Sequence, residues 1–206
     1  MFVYASTPNV AVADGFVYPE ECQKIIEASR DKLVRSTTSG KDENKINPGR
    51  TSTGIGLPHS DFPEICERIA GVANMPLENA EYIQVVRYTK DQEYKTHYDA
   101  FWEKHNKEDG GQRLLTCLVY LNSSVGGATA FPNLNIIVGA IEGRLLMFGN
   151  VDEDKKPHIL SMHQGMPPHE GEKWIFTLWF RERKTNLLKL HRRKNLSLNA
   201  RLSLSI

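Results

Sequence analysis

The chain has 206 residues, of which 26 are basic and 25 acidic, so that its formal net charge is +1. Hydrophobic residues make up 40% and charged residues 25%, a composition that is typical of a globular domain. It excludes a fibrous repeat and disorder throughout the chain. The length fits one domain with a substantial core, and the balanced charge gives no reason to expect that the chain as a whole binds nucleic acid.

The termini and the cysteines indicate the cellular compartment of the protein. No apolar run approaches the ~18 residues that a membrane-spanning helix needs. The N-terminal segment has no basic residue before Lys24, so we expect no secretory signal peptide. Cys22, Cys66 and Cys117 lie far apart and form no CxxC pair, which predicts buried free thiols in a reducing compartment. We therefore expect a cytoplasmic protein.

Positive charge is concentrated at the C-terminal end of the chain. Residues 183–206 contain seven basic residues and no acidic ones, which leaves an acidic excess in residues 1–182. We interpret residues 1–182 as the folded domain and residues 183–206 as a basic tail, either solvated or docked. The alternative is that the tail contacts nucleic acid or another acidic surface, but only this short run favours it.

Two helices and one long loop are predicted in the N-terminal third. Residues 19–33 have acids in the first turn and apolar residues at helical spacing, which predicts a helix. Residues 61–71 predict a second helix, with Pro63 near its first turn. Between them, residues 37–54 are polar and contain glycines, which is typical of a long loop.

After residue 81 the pattern changes to short segments rich in β-branched and aromatic residues, separated by Gly, Pro or Asn. Two helices followed by seven or eight antiparallel strands predict an α+β, mainly β, fold. We expect a double-stranded β-helix (jelly-roll) core over residues 81–182 with helical support from residues 14–75. The mouth of such a barrel is a natural ligand site. The strands are predicted at residues 81–88, 95–100, 114–122, 128–131, 144–148, 159–163 and 173–181.

Two histidines and an aspartate form a candidate metal site. His97 and Asp99 are two residues apart in a predicted strand and should share a face, and His163 ends another predicted strand. Such a triad fills one face of an octahedral metal and leaves three positions open, as in non-haem Fe(II) oxygenases. His158, in a polar loop, is the less favoured ligand. The open alternatives are a zinc hydrolase that activates water with the same triad, a non-catalytic binding module, and a chance pair of strand-edge residues.

Lys173 begins the last predicted strand and should share one face with the alternate residues up to Trp179. A lysine that faces a barrel interior is costly unless an anion binds it. A dicarboxylate would supply that anion if its other end chelated the metal, and Thr129 could donate a hydrogen bond to the same carboxylate. The alternative for Lys173 alone is an ordinary solvated lysine at a strand start.

Seven motifs follow one another between about residue 14 and residue 182. In this order they resemble the prolyl 4-hydroxylase-type 2-oxoglutarate- and Fe(II)-dependent dioxygenases. A lysine stands where several related groups have an arginine, which implies the collagen-type branch. The motifs are RTS from Arg50, QVVRY ending at Tyr88, HYDAF from His97, QRLLTCLVYLN from Gln112, GGATAFP from Gly126, SMHQGMP around His163, and GEKWIFTLWFRE around Lys173.

The resemblance implies a role for each matched residue. His97, Asp99 and His163 would bind Fe(II) and, with Lys173, would form the catalytic set. A loop over residues 37–54 would close on a bound peptide. The residues implied to bind 2-oxoglutarate are Lys173, Thr129 and Tyr88, and those implied to bind substrate are Arg50, Ser52, Arg113 and Trp179.

The implied activity is hydroxylation of a peptidyl proline at C4. It would use Fe(II), O2 and 2-oxoglutarate, release succinate and CO2, and take ascorbate as reductant. The implied partner is a proline-containing peptide or protein. The alternatives within this chemistry are a free amino acid, a proline of a ribosomal protein or translation factor, and a nucleobase reached through the basic tail.

Overall fold

The computed structural model of the protein describes residues 1–37, 48–102 and 109–185. Within these residues, strands form two antiparallel sheets and two α-helices cover one of them. The helices are α1 (Pro19–Arg30) and α2 (Pro63–Ala73). The strands are β1 (Phe2–Ser6), β2 (Asn9–Ala13), β3 (Val34–Arg35), β4 (Thr53–Leu57), β5 (Ile83–Thr89), β6 (Tyr94–His97), β7 (Arg113–Tyr120), β8 (Ser124–Phe131), β9 (Ile136–Ala140), β10 (Leu145–Gly149), β11 (His163–Gly165) and β12 (Glu172–Arg181).

The two sheets face each other as in a jelly roll, which confirms the predicted fold class. The larger sheet has the order β1-β2-β10-β7-β12-β5-β4-β3, and the smaller has the order β6-β11-β8-β9. Strand β12 pairs with β5 and β7 in the middle of the larger sheet. The strand that carries Lys173 is therefore hydrogen-bonded to a neighbouring strand along both edges.

Both predicted helices form, with shifted ends. Helix α1 begins at Pro19, as predicted, and its Glu21 carboxylate accepts a hydrogen bond of 2.9 Å from the Tyr18 backbone N–H. It ends at Arg30. Helix α2 begins at Pro63 rather than residue 61, because residues 59–61 form a 3-10 turn, and it ends where Asn74 adopts a left-handed conformation with φ 52°.

Alternate side chains of β12 pack into two different apolar cores. Trp174, Phe176 and Leu178 pack under the helices in one core, whereas Ile175 joins the core between the two sheets. Lys173 and Trp179 lie on the same face as Ile175. The predicted assignment of alternate residues to one face is confirmed, and it places a lysine between the sheets.

Five strands were missed by the sequence analysis, namely β1, β2, β3, β4 and β9. Strand β4 has the sequence TGIGL, and its glycines hide the strand pattern because glycine is depleted in strands. Gly54 is required there, since a Cβ at this position would lie 2.9 Å from the Val85 carbonyl oxygen. Residues 53 and 54 of the predicted loop thus belong to a strand, and residues 38–47 of that loop lie outside the described residues.

The predicted strands differ from the observed ones in their bounds: the strand expected at residues 128–131 begins at Ser124, and two others depart further from the prediction. The strand expected at residues 95–100 ends at His97, and Asp99 lies in a bend beyond it. The strand expected at residues 159–163 is a 3-10 turn over Ile159–Ser161, and a strand begins only at His163. The turn forms because the His158 ring accepts a hydrogen bond from the Leu160 N–H at 3.2 Å, a cap that a hydropathy pattern does not reveal.

The start of the basic tail is docked. Thr185 donates from its hydroxyl to the Ala80 carbonyl at 3.0 Å and from its backbone to the Glu78 carbonyl at 3.0 Å. Residues 186–206 lie outside the described residues, so the interpretation of the remaining tail stays a prediction.

None of the described helices has the length and apolar character needed to cross a bilayer. All three cysteines are buried and free, as predicted: Cys22, Cys66 and Cys117.

Candidate metal centre

Three metal-ligating side chains meet between the two sheets. His97, the last residue of β6, pairs directly with His163, the first residue of β11. The bend after β6 brings Asp99 between them, with Oδ1 3.7 Å from His97 Nε2 and Oδ2 3.6 Å from His163 Nε2. The ligand atoms of the three residues all lie within 4.8 Å of one another. The three residues grouped from the sequence thus lie together, but Asp99 reaches the site through a bend and not through strand alternation.

Hydrogen bonds orient both histidines as metal ligands. His97 Nδ1 lies 2.8 Å from the Lys95 carbonyl oxygen, and His163 Nδ1 lies 2.9 Å from the Ser161 carbonyl oxygen. Because a carbonyl oxygen only accepts, each Nδ1 holds the proton and each Nε2 presents a lone pair to the centre. Burial, followed by the neighbouring His163, lowers the pKa of His97 to about 3, which keeps that ring neutral and able to bind a metal.

The third ligand is ionised. Burial raises the pKa of Asp99, but the two histidines and Arg113 outweigh it and lower the pKa to about 2. Thr116 donates to its Oδ2 at 2.7 Å. Two histidines with one carboxylate are the donor set of a non-haem Fe(II) centre.

Lys173 is a buried cation at the same cavity. Its side chain is 1% exposed, and Nζ donates to the Ala128 carbonyl at 3.3 Å and lies 4.9 Å from the Tyr88 ring centre. No carboxylate of the described residues pairs with it. Burial lowers the pKa of Lys173 to about 7. The alternative of a solvated lysine is wrong, and a buried ammonium without a counter-ion fits an anionic ligand.

One cavity connects the metal-ligating residues with Lys173. Thr129 and Tyr88 also line it, so the residues implied to bind 2-oxoglutarate lie together. Thr129 Oγ1 is 2.7 Å from the Tyr120 hydroxyl, and burial raises the pKa of Tyr88. The residues present therefore fit a dicarboxylate held between a metal and an ammonium group.

Two of the four residues implied to bind substrate line this cavity. Arg50 is 7% exposed, and its guanidinium lies 4.8 Å from the Tyr94 ring centre. It donates to the Thr37 carbonyl at 2.9 Å and to the Gln84 side chain at 3.1 Å. Its Nε is a buried donor without a hydrogen-bond partner in the described part of the chain and can therefore donate to a bound molecule. The indole of Trp179 faces Asp99 and helps to lower the pKa of that carboxyl.

The other two implied substrate residues lie elsewhere. Ser52 is fully buried and does not line the cavity, and its hydroxyl lies 3.1 Å from that of Ser36, so its expected contact with substrate stays a prediction. Arg113 does not line the cavity either. Its guanidinium stacks 4.0 Å from the Trp179 ring centre and donates to both oxygens of Glu81 at 2.6 and 2.8 Å. Arg113 thus supports Trp179 from behind.

A buried charged group that the sequence did not predict, formed by Glu81 with Arg113 and Arg181, lies behind Trp179. Glu81 accepts hydrogen bonds from Arg113 and, at 2.9 Å, from Arg181. Burial raises the pKa of Glu81, but the two guanidinium groups outweigh it and lower the pKa to about 2. Arg181 also donates to the backbone carbonyls of Gly111 and Asp109. The only sequence signal for this group is the charged end of an otherwise apolar run in β12.

Comparisons with known proteins agree with this geometry. A family model described as the 2OG-Fe(II) oxygenase superfamily matches residues 83–181. A candidate prolyl 4-hydroxylase of Acanthamoeba polyphaga mimivirus is 39% identical over 183 residues, which cover 84% of this chain and 74% of that protein. Prolyl 4-hydroxylase 2 of Arabidopsis thaliana is 32% identical over 202 residues, which cover 85% of this chain and 68% of that protein.

A solved structure is similar as well. The viral collagen prolyl hydroxylase of Paramecium bursaria Chlorella virus-1, in complex with 2-oxoglutarate, superposes with a TM-score of 0.68 at 27% identity. The match covers 85% of this chain and 96% of that chain. Metal-ligating triad, buried lysine, fold and sequence relatives all lead to one assignment: the chain belongs to the prolyl 4-hydroxylase family of 2-oxoglutarate- and Fe(II)-dependent oxygenases.

Proposed function

We propose that this protein hydroxylates C4 of prolyl residues in a peptide or protein. The observation that carries the proposal is Lys173, a buried amine without a carboxylate partner among the described residues, on a cavity that also contains two histidines and a carboxylate. A zinc hydrolase that only activates water would leave this lysine without a role. The substrate class is supported by the relatives, several of which are named prolyl 4-hydroxylases.

Each residue of the cavity has a specific task in this proposal. His97, Asp99 and His163 hold the iron, and Lys173 pairs with the distal carboxylate of 2-oxoglutarate. When bound, iron and 2-oxoglutarate use O2 to convert a C–H bond to C–OH while 2-oxoglutarate becomes succinate and CO2. The protein holds the target carbon close to the metal and excludes water from the cavity. Thr129 donates a second hydrogen bond to the distal carboxylate.

The cavity also offers a donor suited to a peptide backbone. Arg50 Nε is a buried donor without a hydrogen-bond partner among the described residues, and Arg50 lines the cavity. Proline-rich peptides adopt the polyproline II conformation, which leaves their carbonyl oxygens free to accept. The aromatic faces of Tyr94 and Trp179 provide apolar surface for a proline ring.

Turnover of defined substrates tests the proposal. The protein is loaded anaerobically with Fe(II) and 2-oxoglutarate, exposed to O2, and assayed for succinate in the presence of a proline-rich peptide. We expect succinate formation together with a gain of one oxygen atom in the peptide. The matched control is the same peptide with alanine in place of each proline, and free proline and an oligonucleotide are further candidates. Equal succinate with the proline and alanine peptides, or oxidation of free proline or the oligonucleotide alone, would contradict the proposal.

Binding of 2-oxoglutarate is expected to weaken as the pH rises above about 7. The pKa of Lys173 is lowered from 10.5 to about 7 in the free protein, so the amine is charged below that pH and neutral above it. Binding at higher pH must then take up a proton, which reduces the apparent affinity by up to about tenfold per pH unit. The measurement is anaerobic titration of 2-oxoglutarate at several pH values.

A second ligand separates this effect from titration at the metal. The monocarboxylate 2-oxobutyrate can chelate the metal but has no distal carboxylate to pair with Lys173. Its affinity should therefore lack the additional loss above pH 7. If both ligands lose affinity in parallel, the lysine is not the titrating group.

A further inference from the structure

A buried polar chain joins two of the metal ligands; it begins at Thr116, which lines the cavity, and continues to Asn150, which does not. We propose that Thr116 and Asn150 are positioning residues that hold Asp99 as a one-oxygen metal ligand and couple its position to that of His163. This inference rests on the metal site of the proposed function. It concerns residues that contact the metal-ligating side chains or the segments that carry them.

The direction of the hydrogen bonds is fixed by chemistry. Thr116 Oγ1 lies 2.7 Å from Asp99 Oδ2, and an ionised carboxylate only accepts, so the single hydroxyl proton of Thr116 is directed at Asp99. The threonine oxygen can then accept, and Asn150 Nδ2 lies 2.9 Å from it. This order also fixes which end of the Asn150 amide faces the threonine. The chain therefore runs from amide N–H to hydroxyl to carboxylate.

Asn150 connects this chain to the segment that carries the other ligand. It is fully buried directly after β10, and its backbone carbonyl accepts from the His158 N–H at 3.0 Å. The His158 carbonyl accepts from the Ser161 hydroxyl at 2.7 Å. The Ser161 carbonyl in turn accepts from His163 Nδ1 at 2.9 Å. One asparagine thus supports Asp99 through its side chain and the turn before His163 through its backbone.

The arrangement determines how Asp99 can bind an ion. Its Oδ2 already accepts a short hydrogen bond, which makes Oδ1 the better donor to a metal. A carboxylate that binds through one oxygen occupies one coordination position, so that three positions stay open beside the two histidines. Loss of the Thr116 hydroxyl would free Oδ2 and allow the carboxylate to rotate.

The test measures metal affinity without cosubstrate. Mn(II) and, under anaerobic conditions, Fe(II) are titrated into the full chain in the absence of 2-oxoglutarate and peptide. Thr116→Val keeps the side-chain shape but removes the hydroxyl, and Asn150→Ala removes the amide. We expect both variants to bind metal about 10–100-fold more weakly, the loss typical of groups that orient metal ligands. The double variant should lose little more than either single variant, because the two residues act as one chain.

Two controls separate orientation from general destabilisation. Thr116→Ser retains the hydroxyl and should bind metal within about threefold of the wild type. Ser29→Ala removes another buried hydroxyl, which donates to the Ile25 carbonyl at 2.7 Å within α1, and should leave metal affinity unchanged. Thermal unfolding of every variant shows whether it is folded. In addition, the visible charge-transfer absorption of the anaerobic Fe(II) complex with 2-oxoglutarate should shift in Thr116→Val but not in Thr116→Ser.

Wild-type metal affinity in Thr116→Val would overturn the inference. Loss of affinity in Thr116→Val with none in Asn150→Ala would overturn the coupling to His163. The titration contains neither 2-oxoglutarate nor proline, so it does not depend on the proposed reaction. A protein that binds metal as described but does not hydroxylate proline would refute the proposed function and leave the positioning role intact.

Discussion

Replacement of His163 by alanine is expected to abolish iron-dependent turnover, whereas replacement of His158 is expected to preserve it. His163 Nε2 faces Asp99 at 3.6 Å in the metal-ligating triad. Changes that only disturb the orientation of a ligand cost about 10–100-fold in metal affinity, so removal of a ligand should exceed about 100-fold. His97→Ala should have the same effect, because the site has only three protein ligands among the described residues.

The comparison with His158 makes the assignment testable. Its ring accepts a hydrogen bond from the Leu160 N–H at 3.2 Å and does not line the cavity. Anaerobic Fe(II) binding and succinate formation are measured for both alanine variants. Full activity in His163→Ala together with loss of activity in His158→Ala would show that the wrong histidine has been assigned.

The sequence predicts the site well where chemistry restricts the residue type. A histidine pair with a carboxylate, and a lysine within an otherwise apolar strand, are unusual enough to be recognised without coordinates. The alternation along β12 follows from strand geometry alone, and it places Lys173 and Trp179 on the cavity side as predicted. Strand alternation does not account for the place of Asp99 beside the two histidines, because Asp99 lies in a bend, where its carboxylate accepts a hydrogen bond from Thr116 across the fold.

The features that the sequence did not predict depend on distant contacts. Glu81 and Arg181 are separated by 100 residues, and no local pattern shows that they pair at 2.9 Å. Strand β4 requires Gly54 because the Val85 carbonyl of β5 approaches it closely, and this need is visible only once the sheet is formed. Ser52 was expected at the substrate because it lies next to Arg50 in a motif, but the chain turns it into the interior. Proximity in the sequence therefore indicates that a residue lies near the site, but it does not show that the residue contacts the substrate.

Replacement of Lys173 by methionine is expected to weaken 2-oxoglutarate binding and, at the same time, to stabilise the free protein. Loss of a charge-assisted hydrogen bond costs about 1.5–3 kcal/mol, which corresponds to about 10–150-fold in affinity. The protein without ligand, in contrast, no longer has to bury an ammonium group that has only the Ala128 carbonyl as a polar partner. Replacing buried charge by an apolar side chain of similar volume is often neutral or stabilising by about 1–4 kcal/mol.

The two effects are measured on the same samples. Isothermal titration under anaerobic conditions gives the 2-oxoglutarate affinity, and thermal unfolding without ligand gives the stability. The unfolding is done at about pH 6, below the pKa of about 7 at which Lys173 loses its charge, since the cost of burial is then fully present. Above pH 7 the gain in stability should shrink, because the wild-type amine becomes neutral in the folded protein. Addition of 2-oxoglutarate should raise the unfolding temperature of the wild type much more than that of the variant.

An exposed lysine provides the matched control. Lys24 lies on the solvent side of α1, and Lys24→Met should change neither 2-oxoglutarate affinity nor the pH dependence of stability. If Lys173→Met kept the wild-type affinity for 2-oxoglutarate, Lys173 would not bind the distal carboxylate. If it lost affinity and also unfolded at a lower temperature, the residue would contribute to packing, and the loss of binding could reflect a disturbed cavity. If Lys173→Met is more stable than the wild type without ligand and also binds 2-oxoglutarate more weakly, Lys173 destabilises the free protein and serves to bind the ligand.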